Sequence, residues 1–140
     1  MKIWDPIRCL HVAATPEEQV RQRWIRQMIG PLGYPKGLLS VEKDLASLPY
    51  KRQSFDPNRR LDLLCFTPHG EGLTPLLLVE FKAEALGDAG MRQLLGYNEM
   101  VQAPFVCMVQ GDTASTFWKE GKNLGSVPFL PSYSQLLAKL

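Results

Sequence analysis

Two carboxylates and one ammonium group stand within apolar stretches of this sequence. Asp62 lies in the segment 61–67, and Glu80 and Lys82 lie at the end of the segment 75–82. A charge in apolar surroundings is costly unless it is paired or used. Carboxylate oxygens suit Mg²⁺ or Mn²⁺, which also bind water and phosphate oxygens, and an ammonium group beside such a metal stabilises developing negative charge. The three residues therefore predict a metal-dependent site for phosphodiester hydrolysis.

The two segments that carry these charges are predicted to pair as a hairpin. Residues 68–73 between them have the composition of a loop, and both faces of the pair are apolar, which favours a central position in a covered sheet. One antiparallel register sets Asp62 opposite Glu80, with Cβ atoms about 5 Å apart, so that the two charges need a cation. The apolar pairs that this register fixes are Leu64 with Leu78 and Phe66 with Leu76. Lys82 shares the face of Glu80, whereas Phe81 points to the other side.

A helix is predicted before the hairpin. Thr15 is its N-cap, Pro16 takes the first helical position and Glu18 takes the capping-box position. An apolar stripe that includes residues 20, 24 and 28 packs inward, and we place the polar Arg21 and Gln22 toward the flanks of the helix.

The whole pattern predicts an α/β fold in one domain, residues 1–140, with a mixed central sheet flanked by helices. The core order is helix, strand, strand, strand, helix, strand. These elements are a helix from 15 to about 30, strands at 39–45, 61–67 and 75–82, a helix at 88–101 and a strand at 105–109. The segment 47–59 is interpreted as a surface excursion, 115–131 stays unassigned, and 132–140 is interpreted as a short terminal helix.

The composition excludes several classes of protein. With 45% hydrophobic and 21% charged residues, the chain has the profile of a folded globular domain. The three cysteines have no paired spacing and no apolar stretch is long enough for a membrane span, so we expect a cytoplasmic protein. His11 and His69 lack a zinc spacing, and no glycine-rich cofactor loop or ATP-binding phosphate loop is present. A small-molecule enzyme on another α/β fold is therefore disfavoured.

Several motifs resemble those of the PD-(D/E)XK nucleases. They are Arg60-Leu61-Asp62, Leu77-Leu78-Val79-Glu80-Phe81-Lys82-Ala83, Gln93 and Tyr97. The likeness is strongest to the N-terminal nuclease domain of type I restriction enzyme R subunits and extends over about residues 13–111, including Gly33-Tyr34-Pro35-Lys36-Gly37 and Val41-Glu42-Lys43. Asp62 follows Leu61 where the motif's name has proline. The predicted order of elements is also similar to the core of that family.

The resemblance implies a restriction-endonuclease-like core and an endonuclease that acts on DNA with Mg²⁺ or Mn²⁺. It implies that the metal is held by Asp62, Glu80 and the Phe81 backbone carbonyl, with Lys82 as the catalytic cation. Glu18 becomes a candidate outer carboxylate of the catalytic centre. Gln93 and Tyr97 are implied to accompany the centre, and their i, i+4 spacing puts them on one helix face. The implied partners are DNA and other restriction-modification subunits, and no membrane.

Simpler interpretations stand beside these. Asp62, Glu80 and Lys82 could form a structural ion-pair network, and the capping box alone could explain Glu18. Arg59 and Arg60 are candidate contacts for nucleic-acid phosphates, although a solvated loop would also explain them. The competing function is a catalytically inactive module for nucleic-acid binding or assembly on the same fold. Translocation along DNA would require another chain or region.

Overall fold

The structure, a computed structural model, describes residues 1–44, 60–83 and 88–140. Its central feature is a mixed six-stranded sheet, accompanied by a separate two-stranded hairpin and three α-helices. In chain order the elements are β1 (Lys2–Asp5), β2 (Leu10–Ala13), α1 (Pro16–Ile29), a 3-10 turn (Lys36–Leu38), β3 (Leu39–Asp44), β4 (Arg60–His69), β5 (Gly72–Lys82), α2 (Asp88–Val101), β6 (Phe105–Gln110), β7 (Thr113–Glu120), β8 (Asn123–Val127) and α3 (Tyr133–Ala138). The predicted α/β class with a mixed sheet is confirmed.

The sheet has the strand order β3-β4-β5-β6-β7-β8, so the hairpin β4-β5 is internal, as predicted. Strands β5 and β6 are parallel and are connected through α2, whereas the other neighbours are antiparallel. Two apolar clusters cover the sheet. One packs Val20, Ile25 and Met28 of α1 with Phe81, and the other packs Leu94 of α2 with Leu78. This double coverage explains why both faces of the hairpin are apolar.

Helix α1 begins as the capping residues predict, but its capping box is only half formed. The Thr15 hydroxyl accepts a hydrogen bond from the Glu18 N–H at 3.1 Å. The Thr15 N–H donates instead to the Ala13 carbonyl at 2.9 Å. The Glu18 carboxylate is therefore available to partners elsewhere in the fold. Arg21 and Gln22, which were placed on the helix flanks, are buried, and that placement was wrong.

The predicted hairpin register is right near the charged residues and wrong toward the turn. Leu64 pairs with Leu78, but a bulge between Cys65 and Phe66 shifts the ladder, and Phe66 pairs with Pro75 rather than with Leu76. Proline lacks an N–H to donate to a ladder and is tolerated in a sheet at bulges or edges, which explains the shift. Beyond it the strands continue until His69 pairs with Gly72, so the predicted loop is a two-residue turn.

The sequence pattern missed three strand regions. The hairpin β1-β2 lies before α1, and β7 and β8 extend the sheet through residues left unassigned.

Helix α3 was predicted and begins with a complete capping box between Ser132 and Gln135. The 47–59 excursion lies outside the described residues. No helix in the described part of the chain has the length and apolar character to span a membrane.

Candidate active site

Asp62 is fastened to the neighbouring strand by its side chain. The ladder between β4 and β5 begins at Leu63 opposite Val79, one residue beyond Asp62. The Asp62 Oδ2 atom accepts a hydrogen bond from the Phe81 N–H at 2.9 Å. This bond holds one oxygen of the carboxylate against β5, and the side chain is 25% exposed. Asp62 is thus brought to the strand that carries Glu80 and Lys82.

Glu80 and Lys82 form an ion pair at the same end of the hairpin. The Lys82 Nζ atom lies 3.1 Å from Glu80 Oε1. Glu80 is 5% exposed, and its second oxygen, Oε2, is buried with no hydrogen-bond partner among the residues that the structure describes. Phe81 belongs to the cluster on the α1 side of the sheet, as its alternate position predicts. A buried acceptor oxygen without a donor is unfavourable and points to a missing partner.

The electrostatics of the site show a surplus of negative charge. Burial, reinforced by the nearby Asp62 charge, raises the pKa of Glu80 to about 7. Burial also raises the pKa of Asp62, although the Phe81 N–H and the Arg21 and Lys82 charges act in the opposite direction. Burial lowers the pKa of Lys82, but the charge and hydrogen bond of Glu80 and the Asp62 and Glu17 charges together outweigh burial, so the pKa is raised overall. A buried and a partly buried carboxylate that share one ammonium group would be stabilised by a further cation.

The donor atoms fit a hard divalent cation. Asp62 and Glu80 offer carboxylate oxygens, and the unpartnered Glu80 Oε2 is suited to face a metal. Within the described ranges no group of three or more His, Cys, Asp or Glu side chains could hold a metal ion. Mg²⁺ needs no such cage, because it commonly binds one or two carboxylates and keeps waters and phosphate oxygens. The Phe81 backbone carbonyl, implied by the resemblance, would complete the donors from the chain.

Glu18 lies in a second charged cluster, formed by Arg8, Glu18, Arg21 and Glu42. One carboxylate oxygen of Glu18 accepts hydrogen bonds from Arg8 and from Gln22, the latter at 3.0 Å. The other oxygen accepts from Arg21. Arg21 in turn approaches Asp62, with 3.8 Å between its NH1 atom and Oδ1. Glu18 is therefore connected to Asp62 through an arginine.

Three members of this second cluster were not among the predicted site residues. Arg21 and Arg8 both contact Glu42, each at 3.2 Å. The sequence could have indicated Arg21, because Glu18 and Arg21 have the i, i+3 spacing of a helical ion pair. Arg8 and Glu42 lie in other segments, and no local spacing connects them with α1.

The other predicted site residues are Gln93, Tyr97, Arg60 and Arg59. Gln93 and Tyr97 share a face of α2, as predicted, and the Gln93 amide donates to the Tyr97 hydroxyl at 3.0 Å. Tyr97 packs against the α2-side apolar cluster, whereas Gln93 is exposed. Arg60 contributes its backbone to β4, opposite Asp44. Arg59 lies outside the described residues.

Comparisons relate this chain to the R subunit of type I restriction enzymes. The fold is similar to that of a fragment assigned to the HsdR subunit of a type I restriction enzyme from Vibrio vulnificus YJ016, with a TM-score of 0.58 and 16% identity. That similarity covers 88% of this chain and 25% of the other, so this chain spans about a quarter of its length. No match was found among curated proteins. Residues 16–131 match the type I restriction enzyme R protein N terminus (HSDR_N), and because this is most of the chain, the protein belongs to that family.

Proposed function

We propose that this chain is a divalent-metal-dependent nuclease domain that hydrolyses phosphodiester bonds of DNA. The observation that carries the proposal is the buried Glu80 carboxylate, which pairs with Lys82 through one oxygen and leaves the other without a donor in the described structure. Asp62 stands beside it, held by the Phe81 N–H. A purely structural ion pair would have little reason to leave a buried carboxylate oxygen unsatisfied.

The chain's own groups divide the work of this reaction. Asp62, Glu80 and the Phe81 carbonyl would hold Mg²⁺ or Mn²⁺, which supplies Lewis-acid stabilisation and a more acidic bound water. Lys82, whose raised pKa keeps it charged, stabilises negative charge that develops on the phosphate oxygens. The Phe81 N–H keeps Asp62 from turning away. We assign Gln93 and Tyr97 a supporting place near the substrate, and Arg59 and Arg60 contacts to phosphates.

The family supports DNA as the substrate and other restriction-modification subunits as partners. Its printed description is the N terminus of the R protein of type I restriction enzymes. This chain has no phosphate loop, so the nuclease domain would depend on another region or chain for any movement along DNA. We infer that it acts in the cytoplasm, where bacterial DNA lies.

A second function, an inactive module for DNA binding or assembly, has one observation in its favour. Lys82 pairs directly with Glu80, and Arg21 lies near Asp62, so cations of the chain already partly offset both carboxylates. In that case the site would bind no metal. Metal binding and turnover therefore distinguish the two functions.

The test is cleavage of plasmid and single-stranded DNA with Mg²⁺, Mn²⁺ or EDTA. We expect metal-dependent cutting that falls by on the order of 10²-fold or more in Asp62→Ala and in Lys82→Ala. Lys119→Ala, which removes an exposed lysine from β7, is the matched control and should cut like the wild type. Folded wild-type protein that neither cuts DNA nor binds metal would favour the inactive module.

A further inference from the structure

Arg21 is a buried arginine shared by three carboxylates from three separate elements. Its NH2 atom donates to Glu18 of α1 and to Glu42 of β3, the latter at 3.2 Å. Its NH1 atom lies 3.8 Å from Asp62 Oδ1 on β4. The Arg21 side chain is 9% exposed, so the guanidinium end of each contact is largely buried. A guanidinium group is suited to this arrangement, because its donors have a fixed planar geometry and its charge is permanent.

Both oxygens of Asp62 are consequently oriented by the protein. Oδ2 accepts the Phe81 N–H, and Oδ1 faces the Arg21 guanidinium. With the Phe81 contact alone, the carboxylate could still rotate about that hydrogen bond. The Arg21 charge, at an ion-pair distance of 3.8 Å from Oδ1, favours one orientation and so biases the direction in which Asp62 presents its oxygens.

Glu42 adopts an unusual backbone conformation to reach Arg21. It lies in β3 across from Asp62, between the pairs Val41 with Leu63 and Lys43 with Leu61. Its φ is 55°, in the left-handed region that is unfavourable for a residue with a side chain. Such a conformation within a strand persists where surrounding contacts hold it. The contacts here are the two arginines, Arg8 and Arg21, each at 3.2 Å.

Arg8 fastens the cluster to the N-terminal hairpin. It lies between β1 and β2, where buried Asp5 accepts hydrogen bonds from the Arg8 N–H and from its guanidinium group. The same guanidinium group contacts Glu18 and Glu42. Both carboxylates that hold Arg21 are therefore held in turn by Arg8.

From this geometry we propose that Arg21 is a positioning residue for Asp62, and that Glu18 and Glu42 act by holding Arg21 rather than by binding the metal. The inference rests on the proposed function, because it concerns the same metal site. It assigns Glu18 a different task from that of an outer metal ligand, since both its oxygens already accept hydrogen bonds from the chain. Groups that orient a metal-binding carboxylate contribute to metal affinity without touching the metal.

The experiment measures Mn²⁺ affinity of the full chain by titration calorimetry without DNA, so the result does not depend on turnover. We expect Arg21→Gln to weaken Mn²⁺ binding by about 10- to 100-fold. Arg21→Lys should recover part of the affinity, because a single ammonium group keeps the charge but cannot reach all three carboxylates in the same geometry. Arg23→Gln is the matched control on the same helix, since Arg23 is 54% exposed and pairs with Asp112 at the surface. Its Mn²⁺ affinity should equal that of the wild type.

Circular dichroism in EDTA establishes that each variant is folded. If Arg21→Gln does not fold, Glu42→Gln decides the question: it removes a charge from a partly exposed side chain and should weaken Mn²⁺ binding to a smaller extent. Unchanged or tighter binding in a folded Arg21→Gln, or in Glu42→Gln when that variant decides, overturns the inference and leaves the proposed function standing. An equal loss in Arg23→Gln also overturns it. A wild-type protein that binds no Mn²⁺ overturns the proposed function, and the inference with it.

Discussion

The two charged clusters of this protein differ in how completely the chain satisfies their buried glutamate carboxylates. Both oxygens of Glu18 accept hydrogen bonds, from Arg8, Gln22 and Arg21 together. Glu80 is equally buried but pairs only with Lys82 in the described structure, and its Oε2 has no donor. The Glu18 cluster still holds two buried atoms without a partner in the described structure, Arg21 Nε and Gln22 Oε1, so the contrast lies between the two carboxylates. A satisfied buried carboxylate maintains a conformation, whereas an unsatisfied one carries a cost that a ligand can relieve. The comparison separates a supporting carboxylate from the one that we propose binds the metal.

The largest effect on stability should come from removing the satisfied carboxylate of Glu18. Glu18→Ala leaves two arginines in largely buried surroundings without the more buried of their two common partners, and we expect a loss of about 3 to 5 kcal/mol, near the lower value because Glu42 remains. Urea unfolding in EDTA measures this loss. Glu17→Ala, at the exposed neighbouring position, should cost less than about 1 kcal/mol. Equal stability of Glu18→Ala and wild type would show that the second cluster does not support the fold.

Removing the unsatisfied carboxylate should have the opposite effect above neutral pH. The pKa of Glu80 is raised to about 7 in the folded protein from its ordinary value of 4.5, so the folded state binds more protons between these pH values. Stability therefore falls as the pH rises through this interval, and the penalty is complete above pH 7. We expect Glu80→Gln to be more stable than wild type by about 1 to 3 kcal/mol at pH 8, with the difference vanishing below about pH 4.5.

Thermal unfolding in EDTA across this pH range tests that expectation. Glu71→Gln, in the exposed turn of the same hairpin, controls for the loss of a carboxylate and should follow the wild type. Added Mg²⁺ or Mn²⁺ should stabilise the wild type more than Glu80→Gln. A Glu80→Gln variant that is less stable at pH 8 would show that the Lys82 ion pair outweighs the cost of burying Glu80.

Much of the fold was predictable because its signals are local. The apolar segments of β4 and β5, the Thr15 cap of α1 and the apolar face of α2 each lie within one short stretch of sequence. Strands β7 and β8 lacked such a signal. They form one end of the sheet, with β8 as its edge strand, and their polar composition, with Thr113, Ser115 and Lys119 in β7, weakens apolar alternation. The bulge before Phe66 was missed because a constant register was assumed through Pro75.

The candidate site was likewise predictable only where a local sequence pattern brings its residues together. The sequence was enough to group Asp62, Glu80 and Lys82, because residues at paired positions of two hairpin strands lie close together. The contacts of Arg21 could not, apart from its pair with Glu18, because Glu42 and Asp62 come from different strands. The left-handed φ of Glu42 likewise depends on the assembled sheet, because this position has no glycine that would indicate such a conformation. Long-range ion pairs of this kind depend on packing that the local pattern does not contain.

The smallest expected effect comes from removing the N-cap of α1. It tests whether the stability of this helix or the contacts of its side chains determine the Mn²⁺ affinity. Thr15→Ala removes the hydroxyl that accepts from the Glu18 N–H, and we expect it to cost about 1 kcal/mol in urea unfolding. The Glu18 carboxylate should keep its place, because three side-chain donors hold it independently of the cap. Mn²⁺ affinity of Thr15→Ala should therefore match that of the wild type, with Thr113→Ala, on exposed β7, as the control. A large loss of Mn²⁺ affinity in Thr15→Ala alone would mean that helix stability, rather than the arginine contacts, sets the geometry of the metal site.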